Sequence, residues 1–138
     1  MMIPLLVAAC GASAGADTTL EKGMVDAVQL YTEVIYSADA ARLPTAICSQ
    51  DLTTTQAEMA KVNAPVNTGS TYDLSGVTFK VDKRNGDVVR LSIASGSIKI
   101  TTKAGHTLPN MPIPGSASGI VLKNENGWKV CYGASGSV

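Results

Sequence analysis

Val77-Thr78-Phe79-Lys80-Val81-Asp82 and Val89-Arg90-Leu91-Ser92-Ile93 alternate apolar with polar side chains, and Lys83-Arg84-Asn85-Gly86-Asp87 stands between them. A period of two places Val77, Phe79, Val81, Val89, Leu91 and Ile93 on one face of a sheet and Lys80, Asp82, Arg90 and Ser92 on the other. The turn chemistry predicts a hairpin. A three-residue loop Arg84-Asn85-Gly86, with Gly86 left-handed, sets Val81 opposite Val89 and Phe79 opposite Leu91. A plain two-residue turn would misalign the apolar faces. Beyond the second run the apolar parity flips: Ile93 is odd-numbered, Ile98 and Ile100 even, with Ser95-Gly96-Ser97 at the switch. A β-bulge there would bend the strand and curl the sheet.

A second hairpin is expected near the C-terminus. With Glu125-Asn126-Gly127 as its loop, Leu122 pairs with Val130 and Ile120 with Tyr132, and Trp128 joins the apolar face. Cys131 then falls on the opposite face with Lys129. Residues 104–118, with His106, Pro109, Pro112 and Pro114, are excluded from a central strand and read as a connector along an edge or rim.

Upstream the period is helical. Leu20, Met24, Ala27, Val28, Tyr31, Val34 and Ile35 form an apolar stripe, and Thr18-Thr19-Leu20-Glu21 fits a capping box. A helix is expected over 18–37. A short second piece follows Asp39 and is interrupted by Pro44. A third runs from Asp51 or Thr55 to Val62. The fold class is therefore α+β: a long N-terminal helix and short helices packed on a strongly curved antiparallel sheet of about four strands.

Eleven basic residues balance eleven acidic ones, so no net field draws the chain to phosphates, and few aromatics are present to stack bases. Nucleic acid is excluded as a partner. The balance conceals an asymmetry: residues 1–70 carry three basic and seven acidic side chains, and residues 71–138 carry eight and four.

The chain opens Met1-Met2-Ile3-Pro4-Leu5-Leu6-Val7-Ala8-Ala9-Cys10. This apolar run is far shorter than the roughly 20 residues of a bilayer span, but it has the form of a signal peptide ending in small residues. Val7-Ala8-Ala9-Cys10 resembles a bacterial lipobox, in which the cysteine is lipidated and becomes the N-terminus. No lysine or arginine precedes the run, a departure from the usual export signal. The expected organisation is a signal peptide and lipobox over 1–10, a flexible small-residue tether over 11–17, and one domain over 18–138. The chain is then exported and held at the outer face of a bacterial membrane. With Cys10 assigned to lipid, Cys48 and Cys131 remain as an even pair in a compartment where disulfides persist. They are too dispersed for a metal site, and no cofactor motif is present.

The long helix, two short helical pieces, curved antiparallel sheet and closing Gly127-Trp128-Lys129-Val130-Cys131 resemble the nuclear transport factor 2-like superfamily, in particular its small secreted or lipid-anchored bacterial members. That resemblance implies a cone formed by sheet and helices, and a bond from the final cysteine to the helical part. The superfamily includes isomerases, cyclases and dehydratases as well as interaction domains, so it transfers no activity by itself.

Catalytic relatives line the cone with titratable groups, whereas every inward position here is apolar apart from the tyrosine hydroxyl. No catalytic residue is assigned. Tyr31, Phe79, Trp128 and Tyr132 are the candidate ligand-pocket residues. His106 stands in the Pro/Gly connector, and Gly115-Ser116-Ala117-Ser118-Gly119 matches a nucleophile elbow by letter only. The expected function is a non-catalytic, lipid-anchored envelope domain that binds a protein or another envelope component. The alternatives are a carrier or weak isomerase- or cyclase-like enzyme for an apolar small molecule, and a prophage-encoded lipoprotein that excludes a second phage. The lipobox has a direct test: Cys10→Ala should abolish membrane fractionation and leave a soluble or unprocessed form, and unchanged fractionation would show the motif to be accidental.

Overall fold

The computed structural model describes residues 19–62 and 68–131; Cys10, Thr18 and Tyr132 lie outside them. The helical layer comprises α1 (Lys22–Ser37), a 3-10 turn (Ala40–Arg42), α2 (Leu43–Ala46) and α3 (Ser49–Val62). Seven strands follow: β1 (Thr71–Asp73), β2 (Thr78–Asn85), β3 (Val88–Ser95), β4 (Ile98–Thr101), β5 (Thr107–Met111), β6 (Ile120–Asn124) and β7 (Trp128–Cys131). They form two antiparallel sheets, β1-β4-β5 and β2-β3-β6-β7. The chain is α+β as expected, but the single sheet of about four strands is corrected to two sheets of three and four.

The division falls at the parity switch. β3 ends at Ser95, Gly96 adopts φ +87°, and β4 begins at Ile98 with new partners on both sides. A Cβ on Gly96 would lie 2.0 Å from the Gly76 carbonyl oxygen and 3.1 Å from Val77 Cα. Only glycine fits both the dihedral and the contact. A further register shift between Thr78 and Phe79 leaves Ala94 unpaired, since Thr78 faces Ser95 while Phe79 faces Ile93.

The first hairpin differs from expectation in its turn and its pairing: Val81 lies opposite Leu91 and Phe79 opposite Ile93, not Val89 and Leu91. Asn85 pairs with Val88 around Gly86-Asp87, with Gly86 at φ +61°. Two-residue turns with glycine first match the strand twist. The misalignment that such a turn should cause is removed by a bulge at Asp82, the residue skipped between the pairs Val81–Leu91 and Lys83–Arg90. The second hairpin follows the expected register: Leu122 pairs with Val130 and Asn124 with Trp128 around the loop 125–127.

α1 is shorter than expected. It starts at Lys22, with Glu21 in the N-cap position and no capping bond from that side chain. The Glu21 carboxylate is engaged elsewhere: Arg84 Nη1 donates to Oε2 at 2.7 Å and Trp128 Nε1 to Oε1 at 3.4 Å. The Arg84 guanidinium also stands 5.5 Å from the Trp128 ring centroid. The start of α1 is thus pinned to both hairpins. α3 is also longer than the expected short piece and begins earlier. Thr55 is interior, donating to the Asp51 carbonyl, and the first turn is held from a distance by Glu125, which accepts from the Ser49 N–H and hydroxyl at 3.1 Å each. Pro44 sits in the first turn of α2, where its missing N–H breaks no bond.

The α1 stripe of Met24, Ala27, Val28, Tyr31 and Val34 enters one core with Leu43, Ile47, Phe79, Val81, Val89, Leu91, Ile98, Ile100, Ile120, Leu122 and Val130. Val77, Ile93 and Trp128 pack against its margin. Ile113, from the supposed connector, is buried as well. The rest of that connector includes β5, an edge strand in which Pro109 and a left-handed Asn110 fall at a bulge. The bend generates a prediction. Gly96→Ala should destabilise the fold by about 3 kcal/mol or more. Gly76→Ala should stay within about 0.5 kcal/mol, because a Cβ there meets nothing closer than the Ser97 oxygen at 3.9 Å. Denaturant midpoints of the two variants decide it, and equal losses would refute the close-approach account.

Candidate functional site

The interior offers little chemistry. Met24, Val28, Leu43, Ile47, Leu91, Ile98 and Leu122 are fully buried, and none of these seven lines the clefts described below. The described pocket candidates take up separate stations. Tyr31 is buried and its hydroxyl donates to the Pro114 carbonyl at 2.9 Å, tying α1 to the segment before β6. Phe79 borders a shallow hollow with Leu20 and Val81 on the outer strand β2. Trp128 covers the start of α1, where a Cβ on Gly23 would meet its ring at 3.1 Å. Tyr132 lies outside the described residues.

An open cleft lies between the end of α1, the 3-10 turn and α3. It has a volume of ≈ 570 Å³ and an apolar lining that includes Ile35, Ala38, Ala41, Met59, Ala60 and Val62. Two local features create it. α1 ends in a left-handed Ala38, whose neighbour Asp39 donates its N–H to Val34 O, so the chain turns sharply away. α3 then leaves the body of the fold and buries no side chain completely. Leu52 and Met59 reach the core margin, while Val62 is 71% exposed. The carboxylates at the rim have cationic neighbours: Asp39 stands 3.8 Å from Arg42, and Glu58 3.0 Å from Lys61. An apolar trough with a neutralised rim suits apolar side chains or a lipid-like molecule.

A smaller polar hollow of ≈ 160 Å³ lies beside Glu33, Arg42, Ser70 and Tyr72. Tyr72 stacks on Tyr36 with centroids 6.0 Å apart, and the Tyr36 hydroxyl donates to the Pro112 carbonyl. Burial raises the pKa of both tyrosines, and for Tyr36 the neighbouring Tyr72 raises it further. Neither serves as a base near neutrality. His106 is exposed in the β4–β5 turn, where its N–H donates to Thr102 Oγ1. Ser116–Ser118 forms a 3-10 turn leading into β6 rather than a strand-to-helix elbow.

Cys48 and Cys131 form a disulfide with Cα atoms 5.1 Å apart. Cys131 does point to the face opposite Val130, as its parity requires: its pairing partner Val121 joins it there in a second small cluster with Cys48. Cys48 reaches that face because Ile47 makes a parallel bridge with Val130 and the Cys48 N–H donates to Val130 O at 2.9 Å. The 47–48 segment therefore runs beside β7, and its alternation sends Ile47 into the main core and Cys48 to the outer side. Asp51 lies close to both sulfurs, but their bond leaves no thiolate for a metal.

Compared with protein-family models, curated proteins and solved structures, the chain matched none. In the sequence, Ile35, Asp39, Thr55 and Val62 of the groove read only as helix stripe and helix bounds, and nothing there marks a binding surface. For the cystine, peptide mapping by mass spectrometry without reductant should recover Cys48 linked to Cys131. Cys48→Ser should cost about 2–5 kcal/mol in urea unfolding, and a loss below about 1 kcal/mol would mean that the edge bridge and core hold this edge unaided.

Proposed function

We propose that the chain is a non-catalytic, lipid-anchored domain at the outer face of a bacterial membrane, which holds an envelope protein through the groove between α1 and α3. The groove carries the reading: an open apolar trough of ≈ 570 Å³ beside a helix that buries none of its side chains completely. Because Arg42 and Lys61 neutralise the rim carboxylates, the partner is an apolar ridge of side chains rather than a charged one. The cystine supports an oxidising compartment, and the lipobox at Cys10 supports export and anchoring. The bend at Gly96, with α1 in contact with β1 and β7 of the two sheets, supports a strongly curved cone of the nuclear transport factor 2-like kind. A second reading, an apolar small-molecule carrier, is favoured by the volume of the groove, which falls within the range of small-molecule sites.

A photoreactive residue in place of Met59 should crosslink one reproducible envelope protein, and the same probe in place of Asp87, at the tip of the first hairpin, should not. Adding Ala41→Glu to the Met59 probe should abolish the product. Equal labelling from both positions, or turnover of a small molecule by the purified chain, would overturn the interaction reading.

A further inference from the structure

The face of the four-stranded sheet turned away from α1 carries an arrangement that folding alone does not favour. Lys83 on β2 lies directly opposite Arg90 on β3, and Lys123 on β6 directly opposite Lys129 on β7. Register places all four on the outer side: Val89, Leu91, Leu122 and Val130, the neighbours of Arg90, Lys123 and Lys129, enter the core, and Lys83 shares the side of its partner Arg90. Like charges facing each other across a strand pair are destabilising. Lys80, pairing with Ser92, extends the same face.

Arg90 and Asp51 each have an interaction partner, so the surplus on this face rests on Lys83 and Lys129, for which the described residues show no ion pair. Asp82 stands 3.5 Å from Lys80 and accepts from the Ser92 hydroxyl. Glu125 stands 3.8 Å from Lys123 but also holds the start of α3. Asp51 sits beside the cystine, and Asp87 lies in the hairpin turn. The +4 excess of the second half of the sequence is thus partly concentrated on one sheet face, where two cation pairs meet.

We propose that this face rests on an anionic phospholipid surface. The inference builds on the lipid-anchor reading above. Glu21, the last residue before α1, contacts Arg84 and Trp128 in the two hairpins, so the chain from Cys10 enters the domain at the end where Lys83, Lys123 and Lys129 lie. Ten residues separate Cys10 from Glu21, and even fully extended this stretch spans at most about 40 Å. An anchored domain therefore stays within reach of the headgroups, at an effective concentration that makes weak electrostatic contacts count. Face-to-face pairing with a second copy is disfavoured, because it would bring the same cation rows together.

The test uses the full chain carrying Cys10→Ser, which cannot be lipidated, and vesicles with and without phosphatidylglycerol in a phosphatidylcholine background. Binding should be selective for the anionic vesicles and released by salt. Lys83→Gln with Lys129→Gln should weaken it about tenfold or more, since each lysine near an anionic surface is worth about fivefold. Near-UV circular dichroism matching the parent would show that the variant is folded. Equal binding to both vesicle types, an unaffected double variant, or equally tight binding of soluble polyglutamate would overturn the proposal, the last in favour of an acidic protein. Failure of the anchor reading would appear instead in the fractionation of Cys10→Ala, which the vesicle result does not influence.

Discussion

The close approach of Gly96 to the Gly76 carbonyl is the constraint from which the rest of the architecture follows. Without that contact, residues 88–101 would run on as one strand, and the apolar parity change would put either Leu91 and Ile93 or Ile98 and Ile100 into solvent. Bending at a residue that can hold φ +87° with no side chain lets both sets face inward. The strand changes partners in the process, from β2 and β6 before the bend to β1 and β5 after it. α1 can then contact β7 of one sheet and β1 of the other, and its stripe is buried from both sides. A single flat sheet would cover one side of that helix only.

A second constraint acts at the opposite edge. β7 is the last strand of its sheet and would present unpaired backbone groups. Ile47 and Cys48 cover part of this edge, one contributing a core side chain and the other a cystine on the outer face. The same two residues lead into α3, whose first turn is held by Glu125 from the loop after β6. Edge protection, cross-link and helix start are coupled within a few residues. Because that coupling ends by the first turn of α3, the far end of the helix is free to stand off from the body, and the groove opens there.

Legibility in the sequence followed the same physics. The inward set Phe79, Val81, Val89, Leu91, Ile98, Ile100, Ile120, Leu122 and Val130 is readable because burial on one face enforces a period of two. The turn of the first hairpin is not readable because a tight Gly86-Asp87 turn and a bulge at Asp82 together put Phe79 and Val81 on the same inner face as a longer loop would, two residues out of that loop's register. β5 carries no alternation, since an edge strand with Pro109 buries almost nothing. The apparent conflict between the cystine and the sidedness of Cys131 arose because parity reports the face of Cys131 but not the route by which Cys48 arrives there. The groove was illegible for a related reason. It depends on the angle at which α3 departs, set by Ala38 and the Cys48 edge bridge, and not on any residue pattern within the groove.

The apolar interior shifts the question of function to the surface, and the fold separates its surfaces by layer. The groove belongs to the helical layer at the C-terminal end of α1, whereas the cation rows occupy the sheet face on the other side of the core, near the N-terminal end of that helix. Sixteen residues of α-helix set these ends roughly 24 Å apart. If the sheet face lies against headgroups and the tether enters beside it, the groove is held away from the membrane and open to a partner from the envelope. One orientation then serves both surfaces. The cystine and the Glu21–Arg84–Trp128 contacts keep helix and sheet from sliding against each other, so the angle between groove and cation rows is a fixed property of the domain.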